Sequence, residues 1–387
     1  MRRVALVAAG VTRFGVRKAG LKDLIWEAGK AVFGSNSRVR PKDVQGLVVG
    51  TVMPERTANQ SHIASLAAEC LGIKPQRLSA RTEHMCASGS VAIRYAHSFI
   101  ASGFADLILV LGVEKLNLPN MDEALFNMGT GVDRDWEACY GLTAPPCFAL
   151  AAQMHMTKYG TTEEQLALVS VKNHNHAKKN PYAHFQKGAE IDQVLCSKII
   201  ATPLRLYMCS PITDGAAAII LASEERAKDL TDKPVYILGS GQVVEGFSLA
   251  SLHPDYSHWP PMKKAAGDAY AMAGVTPEKI DVAEVHDCFS IAEIIAYEEL
   301  GFCEKGEGGE FVARGFSDYG GKIVVNPRGG LIGCGHPLGA TGVAQAAEIY
   351  WQLRGEAEER QVQGAKIGLT HNNSGMGEHL VIIYGAG

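Results

Sequence analysis

Short aliphatic and β-branched runs alternate with longer segments of helical period along the whole 387-residue chain. That alternation is the pattern of an α/β protein whose mostly parallel strands are buried on both faces. The apolar runs predict strands at Val4–Val11, Leu47–Val52, Leu107–Val113, Ala216–Leu221, Val235–Ser240, Val282–His286, Lys366–His371 and Leu380–Tyr384. Between them, helical patterns lie near 23–33, 60–71, 88–101, 263–273, 290–300 and 343–353.

Laying the two ends of the chain over each other reveals an internal repeat. The segment from Pro41 to Gly50 follows a helix and opens a strand, and the segment from Pro277 to His286 does the same. Cys86-Ala-Ser-Gly-Ser90 and Gly339-Ala-Thr-Gly-Val343 each open a helix of small residues that runs into a strand. Two copies of one α/β unit are therefore expected. Residues 1–114 begin the first, 206–232 complete it, and 233–387 form the second. The intervening 115–205, helical with little strand character, reads as an inserted loop domain suited to cover a substrate.

Charge and composition narrow the function. Lys and Arg total 37 against 41 Asp and Glu, which removes the basic footprint of a nucleic-acid binder. Glycine, at 42 residues, exceeds the usual ~7% and is clustered rather than spread as in a linker. The uncharged stretches 140–157 and 329–347 are broken by Pro145-Pro146 and by dense glycines with His336 and Pro337, so no membrane span is expected. Nine cysteines without a Cys-x-x-Cys pair argue against a disulfide framework or a zinc ribbon, and the apolar run before Thr12 is too short for a signal peptide. A reducing cytoplasm is the expected setting.

Four segments can carry chemistry. Cys86 stands between an extended segment and a helix of small residues, where free backbone N–H groups favour a thiolate or hold an oxyanion. A buried structural cysteine is the commoner fate of a free thiol, and position alone leaves both readings open. His336, in Gly329-Gly-Leu-Ile-Gly-Cys-Gly-His-Pro-Leu-Gly-Ala-Thr-Gly342, precedes the helix equivalent to that of Cys86 and has the chemistry of a base or of a donor to an oxyanion. His286 and Cys288 lie two apart at a strand end and share a face if extended. Thr370-His-Asn-Asn-Ser-Gly-Met-Gly377 ends a strand in a polar, Gly-rich loop.

These blocks, with Ser210-Pro-Ile-Thr-Asp-Gly-Ala-Ala-Ala218, resemble the thiolase family, and specifically its sterol-carrier-protein-2-type and archaeal branch. The resemblance covers essentially the whole chain. It implies two βαβαβαββ halves in a five-layer αβαβα arrangement with the insert over the acyl-CoA. It also implies a thiolase: CoA-dependent cleavage of a 3-oxoacyl-CoA, or the reverse Claisen condensation, through an acyl-Cys86 intermediate. On the same basis His336 activates Cys86, His286 and His336 bind the thioester oxygen, and the backbone N–H groups of Cys86 and Asn373 form a second oxyanion hole. Cys288 stands for the second, acid/base cysteine. The commonest relatives carry Cys-x-Gly where this chain reads His371-x-Asn373, so acid/base work rests on Cys288, with His371 as a helper.

Coenzyme A is expected as substrate, with no metal and no tightly bound cofactor. Expected assemblies are a homodimer or dimer of dimers, with a small OB-fold, zinc-containing subunit of the DUF35 type as a partner. The substrate reading divides between acetoacetyl-CoA and a bulkier aromatic ester such as 2-benzoylsuccinyl-CoA, for which the loop Tyr256–Trp259 leaves room. Rival readings are a decarboxylating ketosynthase using Cys86, His286 and His336, a retro-aldolase, and a non-catalytic scaffold. His174, His176 and His184 fit no standard zinc spacing. Lys172, Lys178, Lys179 and Lys187 read either as contacts to the CoA phosphates or as a solvated helix face.

Overall fold

The apolar runs Val4–Val11 (β1) and Leu107–Glu114 (β4) are strands buried along their whole length, as strands covered on both faces must be. The computed structural model describes residues 2–387. Between those two strands come α1 (Leu21–Gly34), β2 (Gly46–Gly50), α2 (Pro54–Thr57), α3 (Ile63–Cys70), β3 (Leu78–Thr82) and α4 (Ser88–Ala101). The stretch 115–205 holds α5 (Met121–Met128), α6 (Ala144–Tyr159), α7 (Glu163–Ala177), α8 (Ile191–Leu195) and a small hairpin, β5 (Ile199–Ala201) with β6 (Leu204–Arg205). Next are β7 (Gly215–Ser223), α9 (Glu224–Leu230), β8 (Val235–Val244), α10 (Pro260–Ala273), β9 (Val282–Glu284) and α11 (Ser290–Glu299). The chain closes with α12 (Gly308–Ala313), β10 (Val324–Val325), α13 (Gly330–Cys334), α14 (Leu338–Arg354), β11 (Ile367–Ser374) and β12 (Glu378–Ala386).

Ten strands join in the order β10-β9-β11-β12-β8-β1-β7-β4-β2-β3. Read outward from the β1–β8 seam, the sequences β1-β7-β4-β2-β3 and β8-β12-β11-β9-β10 are one order repeated, with the same parallel and antiparallel senses. The seam itself is short, pairing Ala5 with Tyr236 and Leu6 with Val235. Helices α4 and α14 lie between the halves, α4 on β2 and β4, α14 on β4, β7 and β11. Helices α1 and α3 cover the outer face of the first half, and α10 covers β8 and β12 of the second. The result is the five layers that the resemblance implied.

Small residues are what allow the central layer. A Cβ on Gly89 would lie 2.6 Å from the carbonyl oxygen of Gly339, and one on Gly342 2.2 Å from Ser90 Oγ. The helix of small residues that begins after Cys86 and the one that begins after His336 therefore touch backbone to backbone. Both functional segments are brought to one place by that contact.

Three features depart from the sequence reading, the first being that five of the nine pairings in the ten-stranded sheet are antiparallel where mostly parallel strands are expected. Strand β3, Leu-Ser-Ala-Arg-Thr, was not expected, because an edge strand half open to solvent needs no apolar run. Strand β9 stops at Glu284, so His286 lies beyond the sheet rather than in it. Among the described residues, no helix is long and apolar enough to cross a membrane.

Candidate active site

Cys86 sits in a single 3-10 turn, Met85–Ala87, that leads directly into α4. Ser88 builds this turn: its hydroxyl donates to Met85 O (2.6 Å) and accepts the His84 N–H (2.8 Å). Thr82 Oγ1 donates to Ser88 O, and the Met85 N–H donates to Glu83 Oε1. These bonds hold Met85 at φ +41°, a left-handed conformation that a non-glycine residue adopts at a cost of order 1–3 kcal/mol. The strain is spent on aiming the next side chain, Cys86.

The Gly-rich block brings His336 to the same place. Asp287 accepts the N–H groups of Leu331 (2.6 Å) and Ile332 (3.3 Å) and so caps α13. Gly330 must be glycine there, since its φ is +57° and a Cβ would fall 2.2 Å from Asp287 Oδ2. After α13 the chain turns through His336 and Pro337 into α14. His336 Nδ1 is 2.7 Å from Thr341 Oγ1, whose own proton points to Pro337 O at 3.3 Å. This network assigns the proton to Nδ1 of His336 and leaves Nε2 as a lone pair. Nε2 is buried and has no partner within the protein.

His286, Asp287 and Cys288 connect β9 to α11 and are all buried. Asn173 on α7 donates to Asp287 (2.7 Å) and to Glu293 (2.6 Å), fixing the segment from below. The N–H of Ser210 donates to the carbonyl of Cys288 at 2.9 Å. The His286 ring meets that of His336 edge to face, with centroids 5.0 Å apart, and its Nδ1 is buried without a partner.

Cys86 Sγ and one ring nitrogen each of His286 and His336 all lie within 4.8 Å of one another. Burial holds the Cys288 thiol well above the usual range, and charge on Cys86 would raise it further. Burial pushes the Cys86 thiol up to about 12, with Glu114 and Glu83 adding to the rise. Burial also pulls His336 down to about 3 and His286 well below the usual histidine range. The resting constellation is therefore two thiols and two neutral imidazoles. Val52, Met53, Leu116 and Leu338 form a small apolar cluster against Met85, Cys86 and Ile212.

On β11, His371 does not stand alone. His379, diagonally across on β12, stacks on it (interplanar angle 15°) and their nitrogens Nδ1 of His379 and Nε2 of His371 are 3.1 Å apart. His379 Nε2 donates to Met376 O at 3.0 Å, so His371 Nε2 must donate to His379 and its Nδ1 is a buried acceptor without a partner. His379 went unnoticed in the sequence. Two histidines eight apart across a Gly-rich hairpin turn were the available signal. Asn373 pairs with His379 in the ladder, and its Nδ2 donates to Gly375 O.

Other expectations change. Lys172 is buried in an ion pair with Glu293 (2.7 Å) and donates to Val325 O, so it cannot meet a phosphate. His176 is taken up by Asn326 O and Asp318, and His184 by Thr213. Trp259, only 2% exposed, fills the Tyr256–Trp259 loop, packed on Phe148 and His379 with its Nε1–H on Tyr256 O. The room expected there for an aryl group is occupied by the indole.

A thiolase N-terminal domain model matches residues 4–225, and a thiolase C-terminal domain-like model matches 244–386. The chain is 45% identical over 378 residues to an acetyl-CoA acetyltransferase of Methanothermobacter thermautotrophicus, covering 97% of each. It is 34% identical over 376 residues to the benzoylsuccinyl-CoA thiolase subunit BbsB of Thauera aromatica, covering 97% of this chain and 95% of that one. Among solved structures, a chain of an Ltp2-ChsH2(DUF35) aldolase superposes with a TM-score of 0.86 at 26% identity, over 99% of this chain and 98% of that one.

Proposed function

The chain belongs to the thiolase family, and from that premise we propose that it cleaves or forms acetoacetyl-CoA through an acetyl group carried on Cys86. It is an acyltransferase. The observation that carries the assignment of its centre is the convergence of Cys86, His286 and His336 within 4.8 Å.

In the cleavage direction His336 Nε2 takes the thiol proton as Cys86 Sγ attacks the 3-keto carbon. No prior thiolate is needed, which suits a thiol held up at about 12. The oxygen of the tetrahedral adduct is held by the backbone N–H groups of Cys86 and Asn373, and the thioester oxygen, which takes the enolate charge as the bond breaks, by His286 and the new imidazolium of His336. The C2–C3 bond breaks, and Cys288 gives its proton to the departing enolate. Coenzyme A then returns a proton to the Cys288 thiolate and attacks the acyl-Cys86. The released Cys86 sulfur recovers its proton from His336. Buried groups of this kind serve as acid and base because substrate contacts, absent at rest, stabilise the charged forms.

A small acyl group is favoured by two findings. Apolar side chains of Val52, Met53, Leu116 and Leu338 pack against Cys86, and the loop that would have admitted an aryl ring is closed by Trp259. The higher identity to an acetyl-CoA acetyltransferase than to a benzoylsuccinyl-CoA thiolase subunit points the same way. A DUF35-type partner is part of the proposal, supported by the Ltp2-ChsH2(DUF35) neighbour, together with a homodimer or larger assembly and a cytoplasmic setting. The aldolase reading that this neighbour raises is disfavoured by Cys86 beside His336, which carbon–carbon cleavage without an acyl-enzyme does not require.

The test is CoA-dependent cleavage of acetoacetyl-CoA beside an aryl 3-oxoacyl-CoA, with and without a DUF35-type protein. Turnover of the small ester, lost in Cys86→Ala, is expected. Turnover of the aryl ester alone would overturn the substrate, and no thiolysis of either ester together with CoA-independent splitting of a 3-hydroxyacyl-CoA into a carbonyl compound and an acyl-CoA would replace the thiolase reading by an aldolase.

A further inference from the structure

One buried carboxylate beside the centre has no part in the chemistry above. Glu114, the last residue of β4, is wholly buried. Its Oε2 accepts the N–H groups of Val52 (2.9 Å) and Gly339 (3.0 Å). Its Oε1 accepts the Met53 N–H (3.4 Å) and the Thr51 hydroxyl (3.3 Å). Among the described residues no basic side chain pairs with it, and burial raises it to about 7. A buried carboxylate without a counter-ion is costly, so something must be gained from its bonds.

What those bonds connect is specific. Val52 and Met53 follow β2 in the first half and form the wall against Met85 and Cys86. Gly339 is the second residue of α14 in the second half, three residues after His336, and its neighbour Leu338 belongs to the same cluster. The carboxylate thus ties the nucleophile's pocket to the base's helix, across the boundary between the halves. The fit is close: a Cβ on Gly339 would lie 2.5 Å from Gly50 O and 2.9 Å from Glu114 Oε2.

We propose that Glu114 is a positioning residue of the reaction, docking the N-terminus of α14 so that His336 keeps its registration on Cys86. This deepens the thiolase reading and rests on it. The reason a carboxylate is required is acceptor count. Each oxygen takes a backbone N–H from one side of the boundary or both, and a side chain with only one acceptor atom cannot satisfy both sets. In Glu114→Gln, whichever position the amide nitrogen takes, it faces at least one backbone N–H, donor against donor.

The test compares wild type, Glu114→Gln and Glu114→Asp in acylation of Cys86 by acetoacetyl-CoA, followed by rapid acid quench, with thermal unfolding in parallel. Both variants are expected to acylate about tenfold or more slowly with KM little changed, because the substrate's binding surface is intact while base and nucleophile are misregistered. A merely structural role would instead lower the unfolding temperature and leave the acylation rate of the folded fraction unchanged. That result, or a folded Glu114→Gln or Glu114→Asp protein acylating at the wild-type rate, overturns the proposal. Absence of acyl-Cys86 in the wild type would instead count against the thiolase reading itself. Should Glu114→Gln not fold, Glu114→Asp, which keeps both acceptor oxygens but retracts them by one methylene, decides alone.

Discussion

Replacing Thr341 by valine tests how His336 is prepared for its work. The two side chains have nearly the same shape, so the change removes one oxygen and little packing. Thr341 is wholly buried and His336 is 5% exposed, which leaves the Nδ1–H of His336 without the acceptor it has at 2.7 Å and without ready access to water. An unsatisfied buried donor costs about 1–3 kcal/mol. The ring can avoid that cost by moving its proton to Nε2, but then an N–H rather than a lone pair faces Cys86 and the base is gone. Either way the acylation step loses the same order of energy. At about 1.4 kcal/mol per factor of ten, this predicts acylation slower by roughly 5- to 150-fold. Rapid-quench acylation by acetoacetyl-CoA measures it directly, and the pH dependence of kcat should shift with the altered base while KM changes little. A Thr341→Val protein that acylates Cys86 at the wild-type rate would refute both the tautomer assignment and the role of His336.

Further predictions follow from the same geometry. Cys288→Ala should lower kcat by about 10²- to 10⁴-fold, the usual worth of a general acid/base, and should abolish solvent-deuterium exchange into the methyl group of acetyl-CoA; exchange at the wild-type rate would exclude Cys288 as the acid/base. Iodoacetamide labelling of Cys86 should keep rising through pH 9 without a plateau, because a thiol held at about 12 is still mostly protonated there and its small thiolate fraction grows with pH; a plateau near neutrality would show a resting thiolate. Gly89→Ala should destabilise the fold by about 1–3 kcal/mol in denaturant unfolding, since the added Cβ would meet Gly339 O at 2.6 Å; unchanged stability would mean that α4 and α14 are less tightly apposed.

The parts of this protein legible in sequence are those written in local pattern. The apolar runs of β1, β4 and β7 gave strands, and the two small-residue helices revealed the repeat. Cys86, His286, Cys288 and His336 stood out because each sits at the end of a strand or the start of a helix among residues of unusual composition. The structure brings Cys86, His286 and His336 together, with Cys288 buried two residues after His286. What escaped was decided by long-range partners. Lys172 reads as part of a basic helix end, and only Glu293, more than a hundred residues away, shows why it is buried. Glu114, one residue past the predicted strand, carried no signal, since its partners at Val52, Met53 and Gly339 are backbone groups with no signature in side-chain identity. The Tyr256–Trp259 loop was read as open because an aromatic cluster looks the same in sequence whether it lines a cavity or fills one.

The most direct measurement of the central claim is the site of acylation. Incubation with acetoacetyl-CoA, acid quench and peptide mass analysis should place one acetyl group on the peptide containing Cys86, and added CoA should remove it as acetyl-CoA. No acetyl group, or one on another residue such as Cys288, would contradict the assignment of Cys86 as the nucleophile.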